Sequence, residues 1–185
     1  MASKALPFPR GRTLSDDLDN LTLSDTWYQH LEGKEFEVED TVNGTGEKVI
    51  LRVVKNDTGS AITVAKKFMR FNTNAEDFGR RIAGVANAEG MFCVPMDDAY
   101  TVGDTIPDDD LFYVVVKGPV SVTTAAGSVS LSAHDPVATT AAGFIGGVKA
   151  QYGEFVAGIA DVACTTASAS LLIHVDLGVG GIVGT

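Results

Sequence analysis

Apolar runs in this chain are short, and glycine or proline ends most of them. Residues 49–54 (VILRVV) run into Asn56-Asp57-Thr58-Gly59, and residues 61–64 (AITV) follow. Residues 111–116 (LFYVVV) stop at Gly118-Pro119, and Pro119-Val120-Ser121-Val122 starts again. Leu171, Ile173, Val175 and Leu177 alternate with Leu172, His174 and Asp176. Alternation of period two marks a strand with one buried face, and a short unbroken apolar run suits a strand buried on both. Gly, Ala, Val and Thr supply 80 of the 185 residues, and β-branched side chains favour strands over helices. Strands recurring about every eight to twelve residues with turn residues between them predict an all-β fold, a compact barrel- or sandwich-like domain.

Several local readings follow. Residues 49–54 and 61–64 are expected to form a hairpin across a loop of about four or five residues. Ile82-Ala83-Gly84-Val85-Ala86-Asn87 is echoed 74 residues later by Val156-Ala157-Gly158-Ile159-Ala160-Asp161. If structural, the echo means two related strand–turn–strand units rather than a solenoid, which needs more copies.

The first 35 residues read differently. Pro7 and Pro9 bias their predecessors to extended backbone. Ser15 before Asp16 and Asp17 suits a helix N-cap with acids in the first turn. Leu14, Leu18 and Leu21 have helical spacing, and Trp27, Tyr28 and Leu31 follow. This predicts an extended N-terminal arm, residues 1–35, carrying one short helix. A β domain is expected over 36–178 and a Gly-rich tail over 179–185. Lys4, Pro7, Pro9, Arg10 and Arg12 interrupt any apolar start, so no signal peptide is expected.

Charge narrows the partners. With 24 acidic residues against 14 basic ones the formal net is −10. That argues against nucleic acid and anionic membranes, which need a basic surface. No window is apolar enough for a transmembrane helix. Lys66, Lys67, Arg70, Arg80 and Arg81 form the one basic grouping, interleaved with Phe68, Phe71 and Phe78. It could mimic a base-stacking surface; docking of an acidic neighbour, such as a second copy of the chain, fits the net charge better. Residues 119–185 carry only Asp135, Lys149, Glu154, Asp161 and Asp176 as charges. So uncharged a segment folds against the rest or is buried in an assembly.

Site chemistry is sparse. A Ser–His–Asp arrangement needs a base beside a nucleophile, and His30, His134 and His174 come with no nucleophile elbow. Asp97, Asp98, Asp104, Asp108, Asp109 and Asp110 form an acidic cluster whose spacing fits no calcium loop, so a solvated loop is expected. The glycines of 143–147 lack the lysine of a phosphate loop. Asn20, Asn43 and Asn56 open N-x-T sequons that need secretion to matter. Cys93 and Cys164 have no metal or redox spacing and are expected to be free thiols. No catalytic residue, metal or cofactor is expected.

The second half carries a resemblance. Gly118-Pro119-Val120-Ser121-Val122 leads to Val129-Ser130-Leu131-Ser132-Ala133-His134-Asp135-Pro136-Val137. Gly143-Phe144-Ile145 comes next, then Gly153-Glu154-Phe155-Val156-Ala157-Gly158-Ile159-Ala160-Asp161-Val162-Ala163, and residues 171–177 close the series. Asp97-Asp98-Ala99-Tyr100, Gly103-Asp104-Thr105-Ile106-Pro107 and Leu111-Phe112-Tyr113-Val114 extend it upstream. This order resembles the small capsid decoration, or cement, proteins of tailed bacteriophages over about residues 78–178. His134 stands where that family's turn commonly has glycine. The resemblance implies a β-barrel-like domain on the outer face of the head, bound to the major capsid protein. It also implies a homo-oligomer, commonly a trimer, that braces the shell without catalysis. Such a protein is made in the host cytoplasm and ends on the outer capsid surface of the virion.

Extended arms can wrap a neighbour, at an ordering cost set against contact area. Leu6, Phe8, Leu14, Leu18, Leu21, Trp27 and Tyr28 are therefore expected to carry the contact to the capsid. The small-residue C-terminal third is expected to form the subunit seam. The rival readings are another virion component, such as a tail, neck or head fibre protein, and a small β-type ligand-binding module.

Overall fold

The structure is a computed structural model and describes residues 6–14, 30–85, 93–151 and 154–176. Within them the fold is all-β. The strands are β1 (Glu35–Glu39), β2 (Lys48–Asn56), β3 (Ile62–Thr63), β4 (Phe68–Phe71), β5 (Arg81–Val85), β6 (Cys93–Pro95), β7 (Thr105–Ile106), β8 (Leu111–Thr123), β9 (Pro136–Val137), β10 (Gly158–Ala160) and β11 (Ser170–Asp176). The short helix expected around Leu14, Leu18 and Leu21 falls mostly outside the described residues; Leu14 itself pairs with Leu111 in a β-bridge.

One sheet runs β6-β4-β5-β2-β8-β11-β10-β9, with β1 also on β2, and β3 pairs with β7 in a separate ribbon. The first part curls back on itself. After β6, Met96 bridges to Val114 of β8, so β2, β5, β4, β6 and β8 form a barrel-like ring. From β8 the sheet continues outward as a flap of β11, β10 and β9.

Strand β8 belongs to both parts. Residues 111–117 pair with β2 and residues 117–123 pair with β11. Residues 111–116 are buried throughout, as a two-sided strand requires. The expected break at Gly118-Pro119 does not occur. The strand bends there instead, through a register shift between Ile50 and Leu51 of β2 and a positive φ of 106° at Gly118. A Cβ at Gly118 would stand 2.5 Å from the Lys48 carbonyl oxygen, so glycine is required both by backbone and by space. In β11, Leu171, Ile173 and Val175 are buried and alternate with less buried neighbours, as read from the sequence.

The expected hairpin of 49–54 with 61–64 is replaced by other pairings. β2 has β8 on one edge and β1 and β5 on the other, and β3 turns away to meet β7. The reason is Asn56, which is fully buried. Its side-chain amide donates to the carbonyls of Ser60, Ile106 and Pro107 at 2.9, 3.1 and 2.8 Å. Its side-chain oxygen accepts from the Thr58 amide and hydroxyl. These bonds direct the chain after β2 toward residues 106–107.

The 74-residue echo is not a structural repeat. β5 lies between β4 and β2, parallel to β2, whereas β10 lies between β9 and β11 and is antiparallel to both. The C-terminal third does fold against the rest: the Phe68 N–H donates to the Gly143 carbonyl, the Thr123 N–H to the Lys66 carbonyl and the Ser121 N–H to Asp98.

The turn before β9 holds His134 at a φ of 68°. Its N–H donates to the Ala160 carbonyl at 2.8 Å, and the Asp135 carboxylate accepts from the Ser132 N–H at 2.8 Å. The backbone at residue 134 is thus left-handed, with a histidine bearing the strain.

Two stability predictions follow from these backbone positions. Gly118→Ala should cost about 3 kcal/mol, from positive φ and the clash with Lys48. His134→Gly should stabilise by about 0.5–1 kcal/mol, the relieved strain exceeding the entropy glycine adds to the unfolded chain. Both are read by denaturant unfolding; a neutral Gly118→Ala would mean that the β8 bend relaxes freely.

Candidate functional site

Residues 6–14 form a strap across β8 and the loop that closes the ring, with a turn in which the Arg12 N–H donates to the Pro9 carbonyl. The strap has one strong handle at each step. Phe8 is 7% exposed and stacks on Tyr113, ring centroids 4.4 Å apart. The Tyr113 hydroxyl donates to the Phe8 carbonyl at 2.7 Å. Gly11, at a φ of 74°, passes so close to Ala99 that a Cβ would lie 2.5 Å from its carbonyl oxygen. The Tyr100 hydroxyl donates to the Arg12 carbonyl at 2.8 Å and accepts the Tyr113 N–H at 3.0 Å. Leu14 and Leu111 exchange both backbone hydrogen bonds, at 2.9 and 3.1 Å. This is the edge of β8 that β2 does not use.

Arg10 is the centre of the strap. Its Nε donates to both oxygens of Asp97, at 2.9 and 3.1 Å. Its Nη2 lies 2.8 Å from Asp97 Oδ1 and 3.0 Å from Asp98 Oδ1. Asp40, from the loop after β1, stands 3.9 Å from Nη1. All three carboxylate side chains are fully buried, and Arg10 is only 12% exposed. The rest of the cluster is tied down by neutral groups. Asp98 Oδ2 accepts from the Asn43 side chain and the Ser121 N–H, both at 2.8 Å. The Ser121 hydroxyl donates to Asn43 Oδ1 at 2.6 Å. Asp40 accepts from the Asn43 amide and the Thr45 hydroxyl.

Burial and pairing oppose each other in this cluster. Burial pulls the Arg10 guanidinium down, but Asp97, then Asp98 and Asp40, outweigh it and hold Arg10 above its ordinary range. Burial pushes the Asp97 carboxyl above the ordinary carboxylate value, against the pull of Arg10. Burial also pushes Asp40 up, but bonds from Asn43 and Thr45 and the charge of Arg10 hold it below that value. Burial lifts the Tyr113 phenol to about 12 and that of Tyr100 well above its usual value.

The expected solvated loop is therefore corrected. Asp97, Asp98 and Asp110 are buried polar residues, at 0%, 2% and 2% exposure. Asp104 and Asp108 are exposed, and Asp109 pairs with Lys55 at 2.8 Å. Among the expected arm contacts, Phe8 lies in the chain's own core, and Leu6 and Leu14 pack against it. Leu18, Leu21, Trp27 and Tyr28 lie outside the described residues. Residues 6–14 thus share the core of the domain assigned to 36–178. Sequence reasoning missed Asp40, Tyr100 and Tyr113 as partners of the strap, and Asn43 and Ser121 as partners of the carboxylates that hold it. The signal available was two arginines, Arg10 and Arg12, beside Leu6, Phe8 and Leu14 in a segment with two prolines, and an Asp-Asp pair between Met96 and Tyr100.

The remaining candidates are spread over the surface. His30 and His134 are exposed. His174 Nε2 lies 2.8 Å from Glu47, and Nδ1 lies 3.8 Å from Asp161. Phe68 and Phe71 are buried and cannot stack on bases, while Phe78 is 47% exposed. Arg81 pairs with Glu32 and Asp77. Of the sequon asparagines, Asn56 is buried, Asn43 sits in the acidic cluster and Asn20 lies outside the described residues. Cys93 and Cys164 are buried. Among the described residues no group of three or more His, Cys, Asp or Glu side chains is arranged to hold a metal ion. Val148, Ile159 and Val162 are exposed apolar residues in the C-terminal third.

No family model matches the chain, and no curated protein matches it. Among solved structures, the N base of the head fibre gp8.5 of bacteriophage phi29 is similar in fold course. It is 15% identical, with a TM-score of 0.42, and the match covers 70% of this chain and 95% of that one. At that level the likeness carries no functional inference.

Arg10→Ala should destabilise the domain by about 3 kcal/mol or more, because it strands buried carboxylates. The loss should be smaller at pH 5 than at pH 8. Burial already holds Asp97 above its ordinary value, and losing Arg10 removes the charge that pulls it down, so the folded variant keeps a proton that its unfolded form releases and loses further stability as pH rises. Equal losses at both pH values would show that the cluster relaxes into water. In the wild type, ultraviolet titration should find Tyr113 ionising only near pH 12 and Tyr100 well above its ordinary value. Their share of stability is full below about pH 10 and is lost as pH rises beyond it.

Proposed function

We propose that this chain is a non-catalytic structural protein of a bacteriophage virion, a decoration protein on the outer surface of the capsid shell. The observation that carries the reading is the turn at residues 132–135. At the place where the decoration family commonly has glycine, His134 holds the left-handed backbone that glycine would supply. Around it, the turn, β9, the small-residue segment, β10 and β11 follow one another in the order the resemblance implies.

In this reading the partner is the major capsid protein, and copies of the chain associate with one another, a trimer being favoured. With Phe8 and Leu14 engaged in the domain itself, the capsid contact falls to Leu18, Leu21, Trp27 and Tyr28. The exposed Val148, Ile159 and Val162 supply apolar surface for the subunit seam. Bulky apolar anchors of this kind each contribute about 1.5–3 kcal/mol when fully buried.

Co-sedimentation with undecorated capsids tests the proposal, read as copies per particle. Saturable binding at hundreds of copies is expected. Replacing Leu18, Leu21, Trp27 and Tyr28 together by serine should weaken it at least tenfold while the unfolding midpoint stays put. A handful of copies per particle would assign the chain to a neck or head fibre position, and no binding at all would overturn the decoration reading.

A further inference from the structure

We infer that the hollow between the strap and the turn before β7 is a binding site for a small zwitterion, a molecule of amino-acid size carrying one anionic and one cationic group. The inference stands apart from the capsid reading, since it concerns a small ligand and residues given no part in the capsid contact.

Three observations carry it. First, the hollow brings opposite charges to one place and leaves them unpaired. Its volume is about 400 Å³, within the usual range of small-molecule sites. Arg12 of the strap and Asp104 of the turn before β7 both line it. They make no ion pair with each other, and among the described residues neither side chain has another partner. Elsewhere the chain pairs its charges closely: Lys55 meets Asp109 at 2.8 Å and Lys117 meets Asp176 at 2.9 Å.

Second, the lining adds further polar groups and a bare stretch of backbone. Thr13 and Thr105 border the same hollow, and each hydroxyl can donate or accept. Gly103, also in the lining, has a φ of 94°, and a Cβ there would meet nothing within 4 Å. A glycine so placed lets a ligand approach the main chain.

Third, the walls are held in place by the fold itself. The Tyr100 hydroxyl donates to the Arg12 carbonyl at 2.8 Å. The Val64 N–H donates to the Asp104 carbonyl at 2.8 Å, and the Gly103 N–H to the Val64 carbonyl at 3.0 Å. Thr105 is paired with Thr63 in the β3–β7 ribbon. A preformed site loses little freedom when a ligand enters.

The charges decide the class of ligand. A guanidinium fork matches a carboxylate, but a plain anion would meet Asp104 and a chain of formal net charge −10. A plain cation would meet Arg12. A molecule with both groups serves each wall and brings no net charge into the field of the protein. Arg12 and Asp104 are exposed to solvent, which screens them, so binding is expected in the millimolar range.

The probe is L-glutamine, titrated into isotopically labelled full-length chain and followed through the backbone amide resonances of Gly11, Thr13, Gly103 and Thr105. Saturable shifts centred on these residues are expected. N-acetyl-L-glutamine lacks the ammonium group and L-glutaminamide lacks the carboxylate. Each should bind at least fivefold more weakly than glutamine. The same loss is expected for glutamine with Arg12→Gln and with Asp104→Asn. The strap bonds through the Arg12 carbonyl and the turn through the Asp104 main chain, so both variants should keep the wild-type unfolding midpoint.

Shifts that never saturate, or none at all, overturn the inference. So does binding of either half-ligand as tight as that of glutamine, a result read on wild-type chain and therefore independent of how the variants fold. None of these readings bears on copies per capsid, so failure here and failure of the decoration reading remain distinguishable.

Discussion

Two adjacent carboxylates inside an apolar wall set the terms for this fold. Asp97 and Asp98 follow Met96, the residue that closes the ring onto β8. A charge placed there without a partner would be costly enough to reopen the seam. Arg10 supplies the partner, and it can do so only if the chain's beginning lies across its middle. Phe8, Gly11, Arg12 and Leu14 then find Tyr113, Ala99, Tyr100 and Leu111 along the same line. A net negative charge and a positively charged strap are thus parts of one arrangement.

Asn56 shows the same logic in neutral form. Its amide joins carbonyls of the loop before β3 and of the end of β7, beside the two-residue β3–β7 ladder. Buried polar groups need their bonds made, so such a residue specifies a route for the chain as well as lowering its energy. Between them, Arg10 and Asn56 determine how residues 6–14 and 56–64 leave the regular sheet.

The strands that alternate or run unbroken were legible because burial selects residues one at a time. β11 and residues 111–116 of β8 match their patterns closely. Pairing was less legible, because it is decided between distant segments. Residues 49–54 and 61–64 look like hairpin arms locally, yet Asn56 diverts the second. The acidic stretch looked solvated because its cation lies 87 residues away. His134 was readable as a departure from glycine, but only the backbone reveals that its left-handed turn is kept. Site residues that act through distant partners leave little local periodicity to read.

The bend at Gly118 has a mechanical meaning. Ring and flap are not two bodies resting on one another; they are two stretches of a single strand that changes companions at one glycine. A pull on the flap along β8 travels into the ring through covalent bonds. It loads the seven residue pairs of the β8–β11 ladder together in shear, where a hairpin pulled from its end would peel one rung at a time. The molecule is built to yield late and all at once along that axis, and sooner across it.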